Sequence, residues 1–281
     1  MKTRDELIDQ LLTLAFAEDV GDGDATTLST IPAGEQGAQH LLVKEEGILA
    51  GVEIARKVFD KFDPSLKMTV YITDGTHVKP GDIAFKVEGA VRSLLQTERI
   101  MLNIMQRMSG IATQTARYQE RLKGLKTKVL DTRKTTPGLR ILEKEAVLIG
   151  GGANHRMGLF DMILIKDNHV DFAGGIPQAV KAARKWMKEN GKDLKIEVET
   201  RTFDEIRQAL AEGADRIMFD NFTPEKTAEA VKIVNGQAET ESSGGITLDT
   251  LRAYGEAGVD FISVGALTHS VKGLDMSFKA C

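Results

Sequence analysis

The sequence predicts an α/β protein in which a small α+β domain is followed by an α/β barrel. Short runs of β-forming residues, bounded by Gly, Pro and Asp, fill residues 39–89. After Gly124, strand-like and helix-like segments alternate, as they do where crossover helices join parallel strands. Neither a GxGxxG nor a Walker A sequence follows any strand, which counts against a dinucleotide-binding fold.

The composition is that of an ordinary globular protein. Of the 281 residues, 42% are hydrophobic and 28% are charged, and the formal net charge of -4 gives no overall attraction to nucleic acid or to an anionic membrane. The single cysteine, Cys281, allows no intrachain disulfide, and no apolar run is long enough to cross a bilayer. Because the opening MKTRDELIDQLL also lacks the apolar core of a signal peptide, we expect a cytoplasmic protein.

The first part of the chain predicts helices around a β-structure. Thr3 and Glu6 have the spacing of a capping box, so a helix should begin there. The runs HLLVK, GILAG, KMTVYIT and DIAFKVEG predict strands, with one helix over residues 52–62 between them. Residues 91–124 predict long helical structure, because apolar side chains recur along them at helical spacing.

The rest of the chain predicts the barrel. Six strand-like runs alternate with helical segments: KVLD, MILIK, KIEVE, RIMFD, AETES and FISVG. A seventh short strand near residues 153–156 would leave the barrel incomplete, and an open doubly wound sheet is the alternative. We place the first domain at residues 1–110 and the barrel at residues 111–269.

Residues 131–170 place several basic side chains next to turn residues. Within them, five basic residues stand beside turns or at the ends of apolar runs, together with three consecutive glycines. These residues are Arg133, Lys134, His155, Arg156 and Lys166, with Gly150, Gly151 and Gly152. A single basic residue in a loop is usually solvated, but cations at strand ends beside glycines predict an anion site.

Acidic residues end two strands of the barrel. Barrels build their sites at the carboxyl ends of their strands, where Glu199 ends KIEVE and Asp220 ends RIMFD. Strand alternation puts Glu197 and Glu199 on one face, pointing into the barrel. A divalent cation, ribose hydroxyls or a lysine would each satisfy such carboxylates, and an internal Glu–Lys network is the purely structural alternative.

The last two strands predict a phosphate site. Ser243, Gly244 and Gly245 follow AETES, and Gly265 follows FISVG, where barrels bind phosphate on backbone N–H groups. The phosphate site, the two carboxylates and the cations would together bind two polyanions. A phosphoribosyl donor with its magnesium-bound diphosphate, and an acidic acceptor, would use all of them.

These blocks, taken together, closely resemble those of the quinolinate phosphoribosyltransferase family, the carboxylating nicotinate-nucleotide diphosphorylases of NAD synthesis. The resemblance runs along nearly the whole chain, in the blocks EDVGDGDATT, GILAG, TERIMLNIMQRMSGIAT, DTRKTTPGLR, GGGANHRMGL, ILIKDNHV, IEVE, MFDN, ESSGGI and DFISVGALTHS. The combination of DTRKT-PGLR, NHR and IKDNH is highly specific. The resemblance implies phosphoribosyl transfer from phosphoribosyl diphosphate to quinolinate, with decarboxylation to nicotinate mononucleotide.

The resemblance also implies an architecture and an assembly. An N-terminal α+β sandwich domain would take back the C-terminal tail, residues 270–281, and the barrel would have fewer than eight strands. The family's shared active sites imply a homodimer, and a hexamer of such dimers stays open.

Carried over by motif, the resemblance implies a role for each site residue. Arg133, His155, Arg156 and Lys166 would hold the two carboxylates of quinolinate, with Arg99 reaching in from the neighbouring subunit. Lys134 would contact phosphate groups of the donor, Glu199 and Asp220 its ribose hydroxyls and Mg²⁺, and Ser243, Gly244, Gly245 and Gly265 its 5′-phosphate. The predicted catalytic residues are Lys134, Lys166, Glu199 and Asp220.

Three other functions stay open. The acceptor could be nicotinate or another ring acid, although the paired cations argue for a dicarboxylate. Lys166, at a strand end, could instead form the Schiff base of a barrel aldolase. A non-catalytic phosphate-binding scaffold is the third alternative, because a fold does not determine a function.

Overall fold

The computed structural model describes residues 2–281, which cluster into two compact units. The first unit takes in the chain up to Ala116, then Thr135–Gly151 and Leu267–Cys281. The second unit consists of Arg117–Lys134 and Gly152–Ala266. No helix among the described residues has the length and apolar character needed to cross a membrane.

Helices and strands cover most of the described chain. In order, the helices are α1 (Arg4–Asp19), α2 (Ala25–Thr30), α3 (Val52–Phe62), α4 (Val91–Arg121), α5 (Arg140–Ile149), α6 (Asp167–Ala173), α7 (Ile176–Glu189), α8 (Phe203–Ala211), α9 (Pro224–Val234), α10 (Leu251–Glu256) and α11 (Ala266–His269). The strands are β1 (Gln36–Val43), β2 (Gly47–Ile48), β3 (Lys67–Val70), β4 (His77–Val78), β5 (Ile83–Ala90), β6 (Lys128–Leu130), β7 (Ile163–Ile165), β8 (Ile196–Thr200), β9 (Arg216–Asp220), β10 (Glu239–Ser243), β11 (Phe261–Ser263) and β12 (Met276–Ala280).

An antiparallel sheet of strand order β12-β1-β5-β3 forms the centre of the first unit. Phe59 of α3 packs against Phe85 of β5 and Phe278 of β12, with ring centroids 6.0 to 6.2 Å apart, so the helix is fixed to the sheet by apolar contact. The C-terminal strand β12 forms one edge of this sheet by pairing with β1. At the start of α1, Thr3 and Glu6 form the capping box that their spacing predicts.

Residues 135–151 lie within the predicted barrel segment but cluster with the first unit. The cause is the packing of α5, where the Arg4 guanidinium of α1 holds Glu145 through two nitrogens at 2.7 to 2.9 Å. Gly150 lies so close to α4 that a Cβ would stand 2.4 Å from the Ala112 carbonyl oxygen. Gly150 therefore has a packing role, and the anion site predicted beside the glycine run stays a prediction.

Six parallel strands of order β6-β11-β10-β9-β8-β7 form the second unit. Ala153 forms a single bridge with Leu130 of β6, where the sequence predicts a short seventh strand, and in the described chain no strand continues from it. Among the described residues no ladder joins β7 to this bridge, so the barrel is incomplete. The predicted fold class, an antiparallel-sheet domain and a barrel of fewer than eight strands, is confirmed. All carboxyl ends of the parallel strands lie at one edge, where barrel enzymes place their sites.

Candidate active site

The strands of the second unit bring several predicted site residues to one edge. Asp220, at the end of β9, is in register with Ser243, at the end of β10. Glu199 stands one residue before the end of β8, and Lys166 directly follows β7. Gly265 comes two residues after the end of β11. Because these strands are parallel, the five residues share the carboxyl edge of the sheet.

Lys166 and Glu199 form an ion pair at this edge. The Nζ atom of Lys166 lies 3.0 Å from Oε2 of Glu199, and the Glu199 side chain is only 10% exposed. Lys166 itself is 47% exposed and paired with a carboxylate, whereas a Schiff-base lysine requires desolvation or a neighbouring cation. The geometry thus gives no support to the aldolase alternative.

Asn221 connects the predicted carboxylate Asp220 to the predicted phosphate turn. Its Nδ2 donates to Oδ2 of Asp220 at 2.7 Å, and its backbone N–H donates to the Ser243 carbonyl at 2.9 Å. It adopts a positive φ of 57°, which Asn tolerates better than most residues. A Cβ at Gly244 would lie 2.2 Å from Oδ1 of Asn221, so only glycine fits against this side chain.

The turn after β10 leaves its backbone accessible. Gly244 and Gly245 both have positive φ, 101° and 61°, and a Cβ at Gly245 would meet nothing within 4 Å. Gly245 is therefore open to solvent, and backbone N–H groups of such a turn can bind an anion.

Two arginines of the predicted acceptor site lie near each other. Arg156 is 9% exposed and Arg133 is exposed. Burial and then the positive charge of Arg133 lower the pKa of Arg156 from its ordinary value, while Glu197 and Asp161 act in the opposite direction. The positive charge of Arg133 acts unfavourably on the Arg156 guanidinium, and an acid with two carboxylates would offset it. Lys134, exposed, follows Arg133 in the chain.

A buried polar layer lies next to these arginines, and we call His155, Glu197, Glu241 and Arg216 the buried cluster. Nε2 of His155 lies 3.0 Å from Oε2 of Glu197 and 3.6 Å from Oε2 of Glu241. The Nη1 atom of Arg216 donates to Oε2 of Glu241 at 3.2 Å. Burial raises the pKa of Glu197 to about 7, and burial with the charge of Glu197 raises that of Glu241 to about 8; Arg216 opposes both shifts.

The fit of a metal ion differs between the two sets of carboxylates. His155, Glu197 and Glu241 offer ligand atoms within 4.8 Å of one another, the one such group of three found among residues 2–281. The guanidinium of Arg216 already supplies a positive charge there, and Mg²⁺ prefers oxygen ligands to imidazole. Glu199 and Asp220 offer carboxylate oxygens, which Mg²⁺ prefers; Lys166 pairs with Oε2 of Glu199 and Asn221 with Oδ2 of Asp220, and water and substrate phosphates would supply the remaining ligands of a magnesium ion.

Three residues of this region were not predicted from the sequence: Arg216, Asn221 and Glu241. Side chains alternate between the two faces of a strand, as they do for Glu197 and Glu199 on β8. The same alternation puts Arg216 and Asp220 on one face of β9. It also puts Glu241 and Ser243 on one face of β10. Alternation along β9 and β10 is therefore the sequence signal for Arg216 and Glu241. Arg99 lies exposed on α4 in the first unit, and its service to a neighbouring subunit stays a prediction.

Comparison with known proteins points to one family. Residues 24–109 match the N-terminal domain of quinolinate phosphoribosyl transferase, and residues 111–279 match its C-terminal domain. The chain is 45% identical over 286 residues to a mitochondrial quinolinate phosphoribosyltransferase [decarboxylating] 2b of Nicotiana tabacum, covering 96% of this chain and 81% of the relative. It is 47% identical over 285 residues to the chloroplastic nicotinate-nucleotide pyrophosphorylase [carboxylating] of Arabidopsis thaliana, with the same coverage.

Solved structures agree with the sequence relatives. The nicotinate-nucleotide pyrophosphorylase of Francisella tularensis superposes with a TM-score of 0.93 at 39% identity, covering 100% of this chain and 98% of that one. Both units of the fold described above therefore have counterparts in that enzyme.

Proposed function

Because this chain belongs to the quinolinate phosphoribosyltransferase family, it converts quinolinate and phosphoribosyl diphosphate to nicotinate mononucleotide, diphosphate and CO2 in NAD biosynthesis, and we propose that Arg133 and Arg156 bind the two acceptor carboxylates. The observation that carries this proposal is the closeness of Arg133 to the buried Arg156, two like charges that an acid with two carboxylates would neutralise. Arginine also binds carboxylates through two parallel hydrogen bonds, which lysine cannot do.

The acceptor site has further members in this proposal. Lys166 and His155 belong to the same site, together with Arg99 of the partner subunit in a homodimer. Exposed apolar side chains support a partner surface in the second unit: Leu159 is 73% exposed, and Phe172, close to Lys166 in the chain, is 93% exposed. Large apolar side chains exposed near a site are typical of surfaces that another protein covers.

The donor site occupies the carboxyl edge of the barrel. Lys134 contacts its phosphates, Glu199 and Asp220 its ribose hydroxyls, and Ser243, Gly244, Gly245 and Gly265 its 5′-phosphate. The positive φ of Gly244 and Gly245 and the open surface at Gly245 support this assignment. Magnesium held beside Glu199 and Asp220 would supply positive charge to the diphosphate.

The chemistry follows from the charges on these residues. The ring nitrogen of quinolinate attacks the anomeric carbon as the bond to diphosphate breaks, and positive charge develops on the ribose. The carboxylates of Glu199 and Asp220 stabilise that charge, and Lys134 stabilises the leaving diphosphate. Lys166 holds Glu199 in place through their ion pair at 3.0 Å. The new bond makes the ring nitrogen cationic, so the ring can accept the electron pair left when the 2-carboxylate departs as CO2, and C2 then takes up a proton.

A cytoplasmic location is also part of the proposal. Its support is the cysteine content, since the one cysteine is exposed and free, as is usual in a reducing compartment.

A competition experiment tests the two-arginine site. Benzene-1,2-dicarboxylate presents the two carboxylates of quinolinate without the nucleophilic nitrogen, and benzoate presents only one. We expect competitive inhibition against quinolinate by the dicarboxylate, with benzoate weaker by about tenfold or more because it leaves one arginine unpaired. Equal inhibition by the two acids would contradict the proposal.

A further inference from the structure

Apart from His155, which belongs to the proposed acceptor site, the buried cluster has no part in the chemistry described above. The side chains of Glu197 and Glu241 are 0% exposed, and those of His155 and Arg216 are 6% and 7% exposed. Charged groups in such a position are costly unless they are paired, so their presence calls for an account beyond packing. The cluster touches the acceptor site through one residue, since His155 directly precedes Arg156 in the chain.

The ring of His155 accepts a hydrogen bond at one nitrogen and faces two carboxylates with the other. The backbone N–H of Arg156 donates to Nδ1 at 2.7 Å, so Nδ1 presents a lone pair and a neutral ring carries its proton on Nε2. Nε2 in turn faces Oε2 of Glu197 at 3.0 Å and Oε2 of Glu241 at 3.6 Å. The backbone N–H of His155 donates to Oδ1 of the buried Asp131 at 2.8 Å, which fixes the main chain at the same point.

The other side of the cluster is also restrained. Arg216 contacts Glu241 through Nη1 and Glu239 through Nη2, at 3.2 Å and 2.9 Å. Its guanidinium carbon lies 4.3 Å from the centre of the Phe261 ring, a cation–π contact that limits its movement. Glu241, one of the two carboxylates that face His155, is therefore held in place by Arg216.

We propose that Glu197 and Glu241 are positioning residues, which orient His155 and, through it, the buried Arg156 for one carboxylate of the acceptor acid. The inference rests on the proposed assignment of Arg156 to the acceptor site. The chain of contacts has two steps. The carboxylates orient the His155 ring at Nε2. The Nδ1 atom of that ring then accepts the backbone N–H of Arg156 and so fixes the main chain from which the guanidinium extends. Under this account His155 acts on the acceptor through Arg156.

Substitutions at Glu197 separate positioning from packing. Glu197→Leu keeps the volume but removes the oxygen that faces Nε2, whereas Glu197→Gln keeps a carbonyl oxygen there. We expect the Leu variant to raise KM for quinolinate about tenfold or more, with kcat and KM for phosphoribosyl diphosphate changed by less than about twofold. The Gln variant should recover most of the loss. Val198→Ala, in the same strand but on the opposite, fully buried face, is the matched control: it should lower thermal stability and leave both KM values unchanged.

Kinetics of Arg156→Lys distinguish failure of the acceptor-site assignment from failure of the positioning role. If this variant leaves KM for quinolinate unchanged, the acceptor-site assignment is wrong. If it raises KM while Glu197→Leu loses only stability, the assignment stands and the positioning role is overturned. In the double variant that combines Arg156→Lys with Glu197→Leu, we expect the two effects on KM for quinolinate to be strongly non-additive. The reason is that both substitutions act on the side chain at position 156. Additive effects would overturn the positioning role.

A spectroscopic measurement on the unmodified full chain gives an independent test, in which a variant serves only to assign the signal. Nitrogen NMR of ¹⁵N-histidine-labelled protein should show the His155 ring with Nε2 protonated and Nδ1 unprotonated. The signal is assigned by its loss in His155→Gln. A proton on Nδ1 would overturn the proposal, because Nδ1 could then not accept from Arg156.

Discussion

Asn221 donates a hydrogen bond from Nδ2 to Oδ2 of Asp220 at 2.7 Å while its backbone holds a positive φ of 57°. The same residue abuts Gly244 and donates from its N–H to the carbonyl of Ser243. One side chain therefore connects the carboxylate proposed for the donor ribose to the turn proposed for its phosphate. Because both groups depend on it, the position of the donor should depend on it as well.

Asn221→Gly should weaken donor binding. Glycine keeps the positive φ but removes the donor to Asp220, so we expect KM for phosphoribosyl diphosphate to rise about tenfold, with KM for quinolinate nearly unchanged. Initial-rate kinetics with each substrate varied measure both constants. Asn235→Gly is the control, because Asn235 also has positive φ, 47°, and caps the end of α9, with no proposed part in the site. A variant at Asn221 with ordinary donor kinetics would show that the contact with Asp220 has no role in binding.

Arg133→Lys should impair the acceptor more than the donor. Lysine keeps the charge but loses the paired hydrogen bonds of a guanidinium, so KM for quinolinate should rise by more than about tenfold. Arg207→Lys, at an exposed ion pair with Asp204, should leave the kinetics unchanged. Near-normal kinetics in the Arg133 variant would remove this residue from the acceptor site.

Glu199→Ala should reduce turnover far more than stability. We expect kcat to fall by about 100-fold or more, because the carboxylate stabilises charge that develops in the transition state. The melting temperature should change by only a few degrees, about what loss of one partly exposed ion pair produces. Asp260→Ala offers the contrast: Asp260 accepts from Thr240 and pairs with Lys126 before β11 starts, so its loss should lower stability and leave kcat unchanged. A Glu199 variant that loses stability but keeps its turnover would indicate a purely structural network.

The pH dependence of stability should report the burial of Glu241. Burial raises its folded-state pKa from 4.5 to about 8, so its contribution to stability is present in full below pH 4.5 and is lost as the pH rises through 8. Glutamine does not titrate, so in Glu241→Gln the melting temperature should fall less steeply between about pH 5 and pH 9 than in the unmodified protein. Glu225→Gln is the control, since a hydrogen bond with Thr223 lowers the pKa of Glu225 and places its titration below that window. Parallel pH profiles of the Glu241 variant and the unmodified protein would contradict the raised pKa.

Local signals predicted most of the fold. The helix over residues 52–62 and the capping box at Thr3 follow from side-chain spacing within a few turns, and the structure shows both. The six strands of the barrel were readable because each is a short apolar run between helical segments. The association of residues 135–151 with the first unit could not be predicted from the sequence. It depends on a contact between Arg4 and Glu145, which are far apart in the chain.

The sequence predicted less of the site than of the fold. Strand alternation places Glu197 and Glu199 inside the barrel, and the structure puts Glu197 in the buried cluster and Glu199 at the edge beside Lys166. The partners of Glu197 come from other strands and from the segment before β7, so sequence spacing alone does not show which of them it contacts. The role of Asn221 needed its backbone conformation, since asparagines at turns are common and only the positive φ brings this one against Gly244.

The most direct test of the account is release of labelled CO2 from quinolinate labelled at its 2-carboxyl group, with nicotinate mononucleotide measured in parallel. We expect release that requires protein, magnesium and phosphoribosyl diphosphate together, equals the mononucleotide formed, and is nearly lost in Glu199→Ala. Release without the donor, or none from the correctly folded protein with all components present, would contradict phosphoribosyl transfer coupled to decarboxylation at this site.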